Sequence, residues 1–173
     1  MVIFDRQFGF LKETLVAPVS RPAIVLGKSL GGSTTAIIQG ILMIMIALIL
    51  GVNIDLAVVP MAIALMVLIA MGFVSLGLVI ASVVEDMHGF QLIMNFLIFP
   101  MFFLSGALFP LDNAPQIVRA ISYFDPLTYG VEALRFVFLG EASLPIAVSV
   151  GVLAFFMAAS TLLAAFLFNR IES

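Results

Sequence analysis

Four long stretches of mostly apolar residues dominate this sequence and restrict what it can fold into. They cover residues 27–50, 56–84, 91–109 and 145–168. Each stretch is close to the roughly 20 apolar residues that a helix needs to cross the hydrocarbon core of a bilayer. The chain is 64% hydrophobic and only 10% charged, whereas soluble domains are about 45–50% apolar and about 25% charged. The sequence therefore predicts an all-α fold, a single-domain polytopic membrane bundle with four spanning helices.

The remaining composition argues against several classes of function. The chain has no cysteine, so it has no disulfide framework, no thiolate nucleophile and no cysteine-based metal site. Its net charge of -3 gives no reason to expect nucleic acid as a partner. Residues 1–20 carry charges at intervals and lack the continuous apolar core of a cleavable signal peptide. Insertion into the membrane would then depend on the internal spans.

The distribution of lysine and arginine predicts the orientation in the membrane. Cytoplasmic loops carry an excess of these residues. One set of loops and termini contains Arg6, Lys12, Arg21, Lys28 and Arg170. The other set contains only Arg119 and Arg135. We therefore expect both termini in the cytoplasm, the loop 85–89 on the same side, and the segment 110–144 outside.

The segment before the first span, residues 1–19, has the pattern of an amphipathic helix. An apolar face at helical spacing consists of Phe4, Phe8, Leu11 and Leu15. The charged residues of the segment occupy the other faces. Pro18 ends the helix, because proline has no N–H to donate and disfavours helix at the residue before it. Such a helix either lies on the lipid headgroups or forms a docking surface beside the membrane.

The segment between the third and fourth spans predicts two short helices. Pro115 begins the first, whereas Asp125 caps the second and places Pro126 at its favoured first position. Glu132 and Arg135 can pair at i, i+3. The expected apolar faces are Ile117, Val118, Ile121 and Phe124 in the first helix, and Leu127, Val131, Leu134 and Phe138 in the second. Both helices could re-enter the outer leaflet where protein or a water-filled cavity shields their ends.

Two separated motifs resemble type-2 ABC exporter permeases, which include daunorubicin-resistance-type drug exporters and exporters of lipo-oligosaccharide and polysaccharide. The first motif is FGFLKETLVAPVSR at residues 8–21, followed by IVLGK at 24–28. The second is FLSGALFPL at 103–111, followed by DPLTYGVEALR at 125–135. The resemblance covers essentially the whole chain, although family members have six membrane helices and this sequence begins just before the third.

The resemblance implies roles for residues in both motifs. The first motif would be a cytoplasmic coupling helix that contacts an ABC ATPase subunit through Phe8, Leu11, Lys12, Glu13, Leu15 and Pro18. The second would form the outer re-entrant region, with Ser105, Gly106, Pro110, Asp125, Pro126, Tyr129, Glu132 and Arg135. The other implied partners are a second permease copy and membrane lipid, in the plasma (inner) membrane. ATP and Mg²⁺ would be bound by the ATPase subunit.

The chain itself shows no motif for catalysis or for binding a nucleotide or other cofactor. Gly27-Lys28-Ser29 resembles the end of a phosphate-binding loop, but Pro22 stands where that loop requires glycine. A polar cluster between the second and third spans consists of Glu85, Asp86 and His88. We interpret it as an ordinary turn. The alternatives are a contact with a partner and a site for a metal ion or for proton transfer.

The spans favour energy from a separate subunit over ion coupling. An ion-coupled carrier normally places a carboxylate within its helices. The four apolar stretches contain no Asp or Glu. Their polar residues include Gln39, Ser75, Asn95, Ser105, Ser160 and Thr161. The predicted function is the permease subunit of an ABC exporter that moves a drug, lipid or lipid-linked saccharide, with a slight preference for a drug. A non-transporting membrane scaffold or assembly protein, a channel and an ion-coupled carrier are the alternatives.

Small residues on the first two spans predict close contacts between helices. Gly32, Ala36 and Gly40 are spaced four apart on the first span, as are Gly77 and Ala81 on the second. Such residues let helix backbones approach each other in lipid. We expect them to pack within the bundle, with an interface between subunits as the alternative.

Overall fold

The computed structural model describes residues 21–84, 86–109, 111 and 114–170, and this part of the chain contains helices and no strand. The helices are α1 (Arg21–Ile49), α2 (Val59–Val83), α3 (Met87–Leu104), α4 (Gln116–Ser122), α5 (Pro126–Leu139) and α6 (Ile146–Arg170). A short 3₁₀ turn, Leu56–Val58, precedes α2. Four helical segments are long and apolar enough to cross a bilayer: Ala23–Ile49, Leu56–Val83, Met87–Leu104 and Ile146–Phe168. The predicted all-helical class is therefore confirmed.

The third spanning helix differs most from its predicted bounds, which were wrong at both ends. It begins at Met87 because Asp86 caps it: the backbone N–H of Gly89 donates to Asp86 Oδ1 at 2.6 Å. It ends at Leu104, and Gly106 then adopts φ +81°, a left-handed conformation that only glycine adopts readily. At the end of the helix the apolar sequence continues through residues 107–109, so hydropathy does not mark this boundary, whereas the start lies among polar residues that the predicted span left out.

Helices α1, α2 and α6 pack against one another at the centre of the bundle. Two glycines mark the contact between α1 and α2. A Cβ on Gly32 would stand 2.8 Å from Val74 Cγ1, and one on Gly40 would stand 2.7 Å from Met66 Sδ. The predicted packing role of these two glycines against α2 is therefore seen, whereas Ala36 is exposed. Because a side chain would not fit at either glycine without movement, their small size lets α1 and α2 lie close together.

A chain of three hydroxyl groups also joins these helices. Ser29 Oγ of α1 lies 3.0 Å from Ser75 Oγ of α2, which lies 3.0 Å from Thr161 Oγ1 of α6. Ser29 and Ser75 are fully buried. Hydrogen bonds between membrane helices add directional contacts to packing that is otherwise non-directional. The three helices therefore share one polar contact in their apolar interior.

Helix α5 packs against α2 and α6 with a face that coincides only in part with the predicted one, since Leu134 and Phe138 pack against this contact. Its buried apolar residues are Ala133 and Val137, which contact a cluster that includes Leu65 and Leu153. The predicted face is only half-buried, and most of the predicted face of α4 is exposed. Gly130 explains part of the difference, because a Cβ there would stand 3.0 Å from a side-chain atom of Ile69 in α2. The contact therefore combines small residues with part of the predicted apolar face.

Helix α3 lies at the edge of the bundle. None of its residues, all of which the structure describes, is buried, and Phe96 is 85% exposed. A groove of about 430 Å³ separates it from α1 and α2. The groove is lined mostly by apolar side chains, among them Phe73, Phe90 and Met94, with Lys28 and Gln91 as its charged and amide-bearing members.

Candidate functional site at the junction of α3, α4 and α5

The junction of α3, α4 and α5 brings together most of the second set of predicted site residues. It begins at the turn after α3, where Ser105 is fully buried and its hydroxyl donates to Phe102 O at 2.8 Å. Gly106 follows with its left-handed backbone, and a Cβ there would stand 3.0 Å from Leu111 Cγ. Both the backbone conformation and the lack of space therefore require glycine at this position.

The start of α5 has the predicted capping geometry. Asp125 Oδ1 accepts a hydrogen bond from the backbone N–H of Leu127 at 2.9 Å, and Pro126 occupies the first turn. Burial raises the pKa of the Asp125 carboxyl from its usual 3.8 to about 6, and the hydrogen bond from Leu127 opposes this shift. Loss of hydration disfavours the charged carboxylate and is the larger of these effects.

Two hydroxyl groups tie α4 and α5 to their surroundings. Tyr129 of α5 donates its hydroxyl to Tyr123 O, in the turn after α4, at 2.8 Å. Ser122 Oγ lies 2.7 Å from Leu104 O at the end of α3 and 2.9 Å from Val118 O, and its single proton can be donated to one of them at a time. Ser122 therefore connects α4 with the last turn of α3.

Glu132 and Arg135 form the predicted i, i+3 ion pair, in a setting that the sequence did not predict. Arg135 Nη1 lies 3.5 Å from Glu132 Oε1, and Glu132 is only 1% exposed. The other carboxylate oxygen accepts a hydrogen bond from the backbone N–H of Ser143 at 2.6 Å. Arg135 Nη2 donates to Gly106 O at 3.0 Å. The pair thus joins the turn after α3 to the segment that leads into α6.

A polar cavity of about 170 Å³ lies beside this pair. Its lining residues are Leu111, Arg119, Tyr123, Thr128, Glu132, Ser143 and Leu144. The Arg119 guanidinium donates from Nε and Nη2 to Leu111 O, at 3.3 and 3.1 Å, which holds the segment after α3 against α4. Several of these contacts are made by backbone groups, which leave no mark in a sequence. The one available signal was that Thr128 and Glu132 lie four residues apart, on one side of α5.

The predicted contacts to an ATPase subunit fall outside the described residues, as does Pro110. These contacts are Phe8, Leu11, Lys12, Glu13, Leu15 and Pro18. Of the polar cluster between α2 and α3, Asp86 serves as the cap of α3, which agrees with an ordinary turn, and Glu85 is not described. Within the described part of the chain, no group of three or more metal-ligating side chains is close enough to hold a metal ion.

Sequence comparison places these features in a known family. The pattern of the ABC-2 type transporter family matches residues 1–139. The transport permease ycf38 of Cyanophora paradoxa is 30% identical over 139 residues, which cover 79% of this chain and 48% of the relative. Nodulation protein J of Rhizobium leguminosarum bv. viciae is 28% identical over 156 residues, covering 90% of this chain and 60% of the relative.

A third relative is the inner membrane transport permease YadH of Escherichia coli (strain K12). It is 28% identical over 172 residues, which cover 92% of this chain and 62% of the relative. The chain spans about half to three-fifths of the length of these three relatives. The family match includes both sequence motifs that suggested a type-2 ABC permease, and it confirms that prediction. This chain belongs to the ABC-2 type transporter family.

Proposed function

We propose that this chain acts as a membrane subunit of an ATP-driven exporter in the inner membrane, with ATP hydrolysed by a separate subunit. The observation that carries the proposal is the family match over residues 1–139, which includes three of the four helices that are apolar enough to span a bilayer. No catalytic role is assigned to the chain, and it binds no cofactor in this proposal.

The chemistry of the spans supports an external energy source. The four candidate spans contain no Asp or Glu, although an ion-coupled carrier normally places such a residue within its helices. Hydroxyl groups supply a polar contact between three of these spans, in the chain from Ser29 to Ser75 and Thr161. Hydroxyl groups do not change charge at physiological pH. This contact therefore favours a permease that is moved by a partner over one that takes up protons itself.

The proposed partners are an ABC ATPase subunit and a second permease copy, within membrane lipid. The segment before α1 would dock on the ATPase with its apolar face, and Lys12 and Glu13 would make polar contacts at the rim. Both termini would lie in the cytoplasm. The junction of α3, α4 and α5 would then lie on the outer side and shape the exit, with α4 and α5 re-entering the outer leaflet.

The substrate we propose is a drug, a lipid or a lipid-linked saccharide, with a slight preference for a drug or other lipophile. The groove between α1, α2 and α3 supports an apolar substrate, because its lining is mostly apolar and includes the adaptable side chains of Met87 and Met94. The slight preference for a drug rests on the motif at residues 8–21, which most resembles the drug-resistance branch of the family. The sequence also has no tryptophan on which a sugar could stack.

The proposal is tested by disrupting the apolar face of the segment before α1 in the permease as it is expressed with its ATPase. The double variant Leu11→Asp, Leu15→Asp should abolish copurification of the ATPase. The matched control is Phe10→Asp with Val16→Asp, which adds the same charge away from the apolar face of the predicted helix. The control should retain the ATPase. Equal retention in both double variants would contradict the coupling role.

A flux assay in inverted membrane vesicles separates the alternatives. The exporter requires ATP to load the vesicles with a lipophilic dye. Uptake that follows an ion gradient without ATP would indicate a carrier, and no uptake under either condition would indicate a scaffold.

A further inference from the structure

Helix α3 is attached to the rest of the protein in different ways at its two ends. Near its start, the half-buried side chains of Met87 and Phe90 pack against an apolar cluster that contains Leu78 and Ala164. Apolar contacts of this kind are non-directional and tolerate sliding. At its end, the carbonyl groups of Leu104 and Gly106 accept hydrogen bonds from Ser122 and Arg135. Hydrogen bonds depend on distance and angle, so they fix a position more closely.

The attachment at Gly106 continues as far as the segment before α6. Gly106 O accepts from Arg135, Arg135 pairs with Glu132, and Glu132 accepts from the backbone N–H of Ser143, at 3.0, 3.5 and 2.6 Å. Ser143 precedes α6 by three residues. The series therefore joins the end of α3 to the start of α6 through two side chains of α5.

Burial makes this series sensitive to the loss of one member. Glu132 is 1% exposed, and its Oε1 atom accepts no hydrogen bond from any residue that the structure describes. Arg135 supplies a positive charge 3.5 Å from that oxygen. Removing a counter-charge from a buried carboxylate is far more costly than losing an exposed pair.

We propose that Arg135 and Glu132 are positioning residues that hold the end of α3 as a pivot, so that α3 tilts about this junction while its start moves along α2 and α6. The pivot itself is a property of this chain. Its use during transport rests on the function proposed above, with the ATPase moving the opposite end of α3.

Distances between spin labels test the pivot, and the absence of native cysteine leaves no background for labelling. One pair, Phe103→Cys with Val148→Cys, reports on the junction, and a second, Leu92→Cys with Leu162→Cys, reports on the opposite end. All four native side chains are exposed. In lipid nanodiscs we expect a narrow distance distribution at the junction and a wider one at the opposite end.

The decisive variant is Arg135→Met, which keeps an unbranched side chain but removes the donors and the charge. We expect the distribution of distances between the labels at residues 103 and 148 to widen until it is as broad as that between the labels at the opposite end. Gln116→Met is the control, because it removes a polar group of similar length from an exposed position at the start of α4. A distance distribution at the junction that stays narrow in Arg135→Met, or widens equally in Gln116→Met, would overturn the pivot.

A second variant keeps the test valid if Arg135→Met does not fold. Arg135→Lys retains the charge but loses the planar fork that reaches Glu132 and Gly106 together. It should widen the junction distribution less than Arg135→Met would, while Glu132→Gln should also widen it. An unchanged distribution in both variants would count against the proposal.

The same labels in the complete transporter separate the pivot from the proposed function. With ATP bound to the partner ATPase, we expect the Leu92–Leu162 distance to shift and the Phe103–Val148 distance to stay the same. Equal shifts of both distances would overturn the pivot. A narrow junction with no response to ATP at either pair would leave the pivot standing and contradict the proposed ATP-driven function.

Discussion

Gly72 of α2 lies directly against the ring of Phe156 of α6. A Cβ on Gly72 would stand 2.9 Å from Phe156 Cδ1 and 3.6 Å from the backbone Cα of Met157. We expect Gly72→Ala to destabilise the bundle, because overpacking a core costs about 1–3 kcal/mol and the gain in helix propensity offsets only about 1 kcal/mol. The measurement is the midpoint of thermal unfolding in detergent micelles, which should fall.

Gly151 of α6 supplies the control for this substitution. A Cβ there would meet no described atom within 4 Å, so Gly151→Ala should leave the midpoint unchanged or raise it through helix propensity. If Gly72→Ala behaved like Gly151→Ala, the close approach of α2 and α6 at Phe156 would not hold in the membrane.

Ser75 holds the middle place in the hydroxyl chain, so its loss should weaken two contacts between helices. Ser75→Ala removes the bonds to Ser29 and Thr161, and such bonds average about 0.6 kcal/mol each in membrane proteins. We expect a loss of about 1 kcal/mol in the free energy of unfolding. Ser82→Ala is the matched control in the same helix, because the Ser82 hydroxyl donates to Leu78 O within α2 itself. Equal effects of the two substitutions would contradict a role for the chain in joining helices.

The sequence allowed the spans, the cap at Asp125 and the ion pair of Glu132 with Arg135 to be predicted, because each depends on neighbours along the chain. Apolar runs of sufficient length, a capping residue before proline and an i, i+3 spacing are local patterns. The packed face of α5 could not be predicted in this way. It includes Gly130 and Ala133, and the small size of Gly130 matters because Ile69 of α2 lies opposite.

The contacts that complete the junction of α3, α4 and α5 were also beyond the sequence. Glu132 reaches the backbone N–H of Ser143, and Arg135 reaches the carbonyl of Gly106. A backbone group carries no sequence signature, and the partners are 11 and 29 residues apart. The buried setting of the ion pair therefore depends on the tertiary fold, although the pair itself was predicted.

The carboxyl of Asp125 should make stability depend on pH. Its pKa in the folded protein is raised to about 6 from 3.8, so the folded state holds a proton that the unfolded state has already lost. The contribution of this carboxyl to stability is therefore fully present below about pH 4 and is lost as the pH rises through about 6. Thermal midpoints of the wild-type protein and of Asp125→Asn between pH 4 and 8 check this.

Asn is the suitable replacement at this position because it caps a helix about as well as Asp and does not titrate. The fall in midpoint between pH 4 and 6 should be smaller in Asp125→Asn than in the wild-type protein. Parallel curves for the two proteins would show that other groups account for the pH dependence.

Gly106 and Gly140 both have left-handed backbones, at φ +81° and +73°, but only Gly106 is also crowded. A Cβ on Gly140 would meet no described atom within 4 Å, whereas one on Gly106 would stand 3.0 Å from Leu111 Cγ. Gly140→Ala should therefore cost only the conformational penalty, about 1–2 kcal/mol. Gly106→Ala should cost more, because it adds a steric clash to the same penalty.

The unfolding midpoints of the two alanine variants give the comparison. Gly140→Asn should lower the midpoint least, because Asn tolerates this conformation. Equal losses for the two alanine variants would mean that Leu111 moves aside freely, and the turn after α3 would then depend on backbone conformation alone.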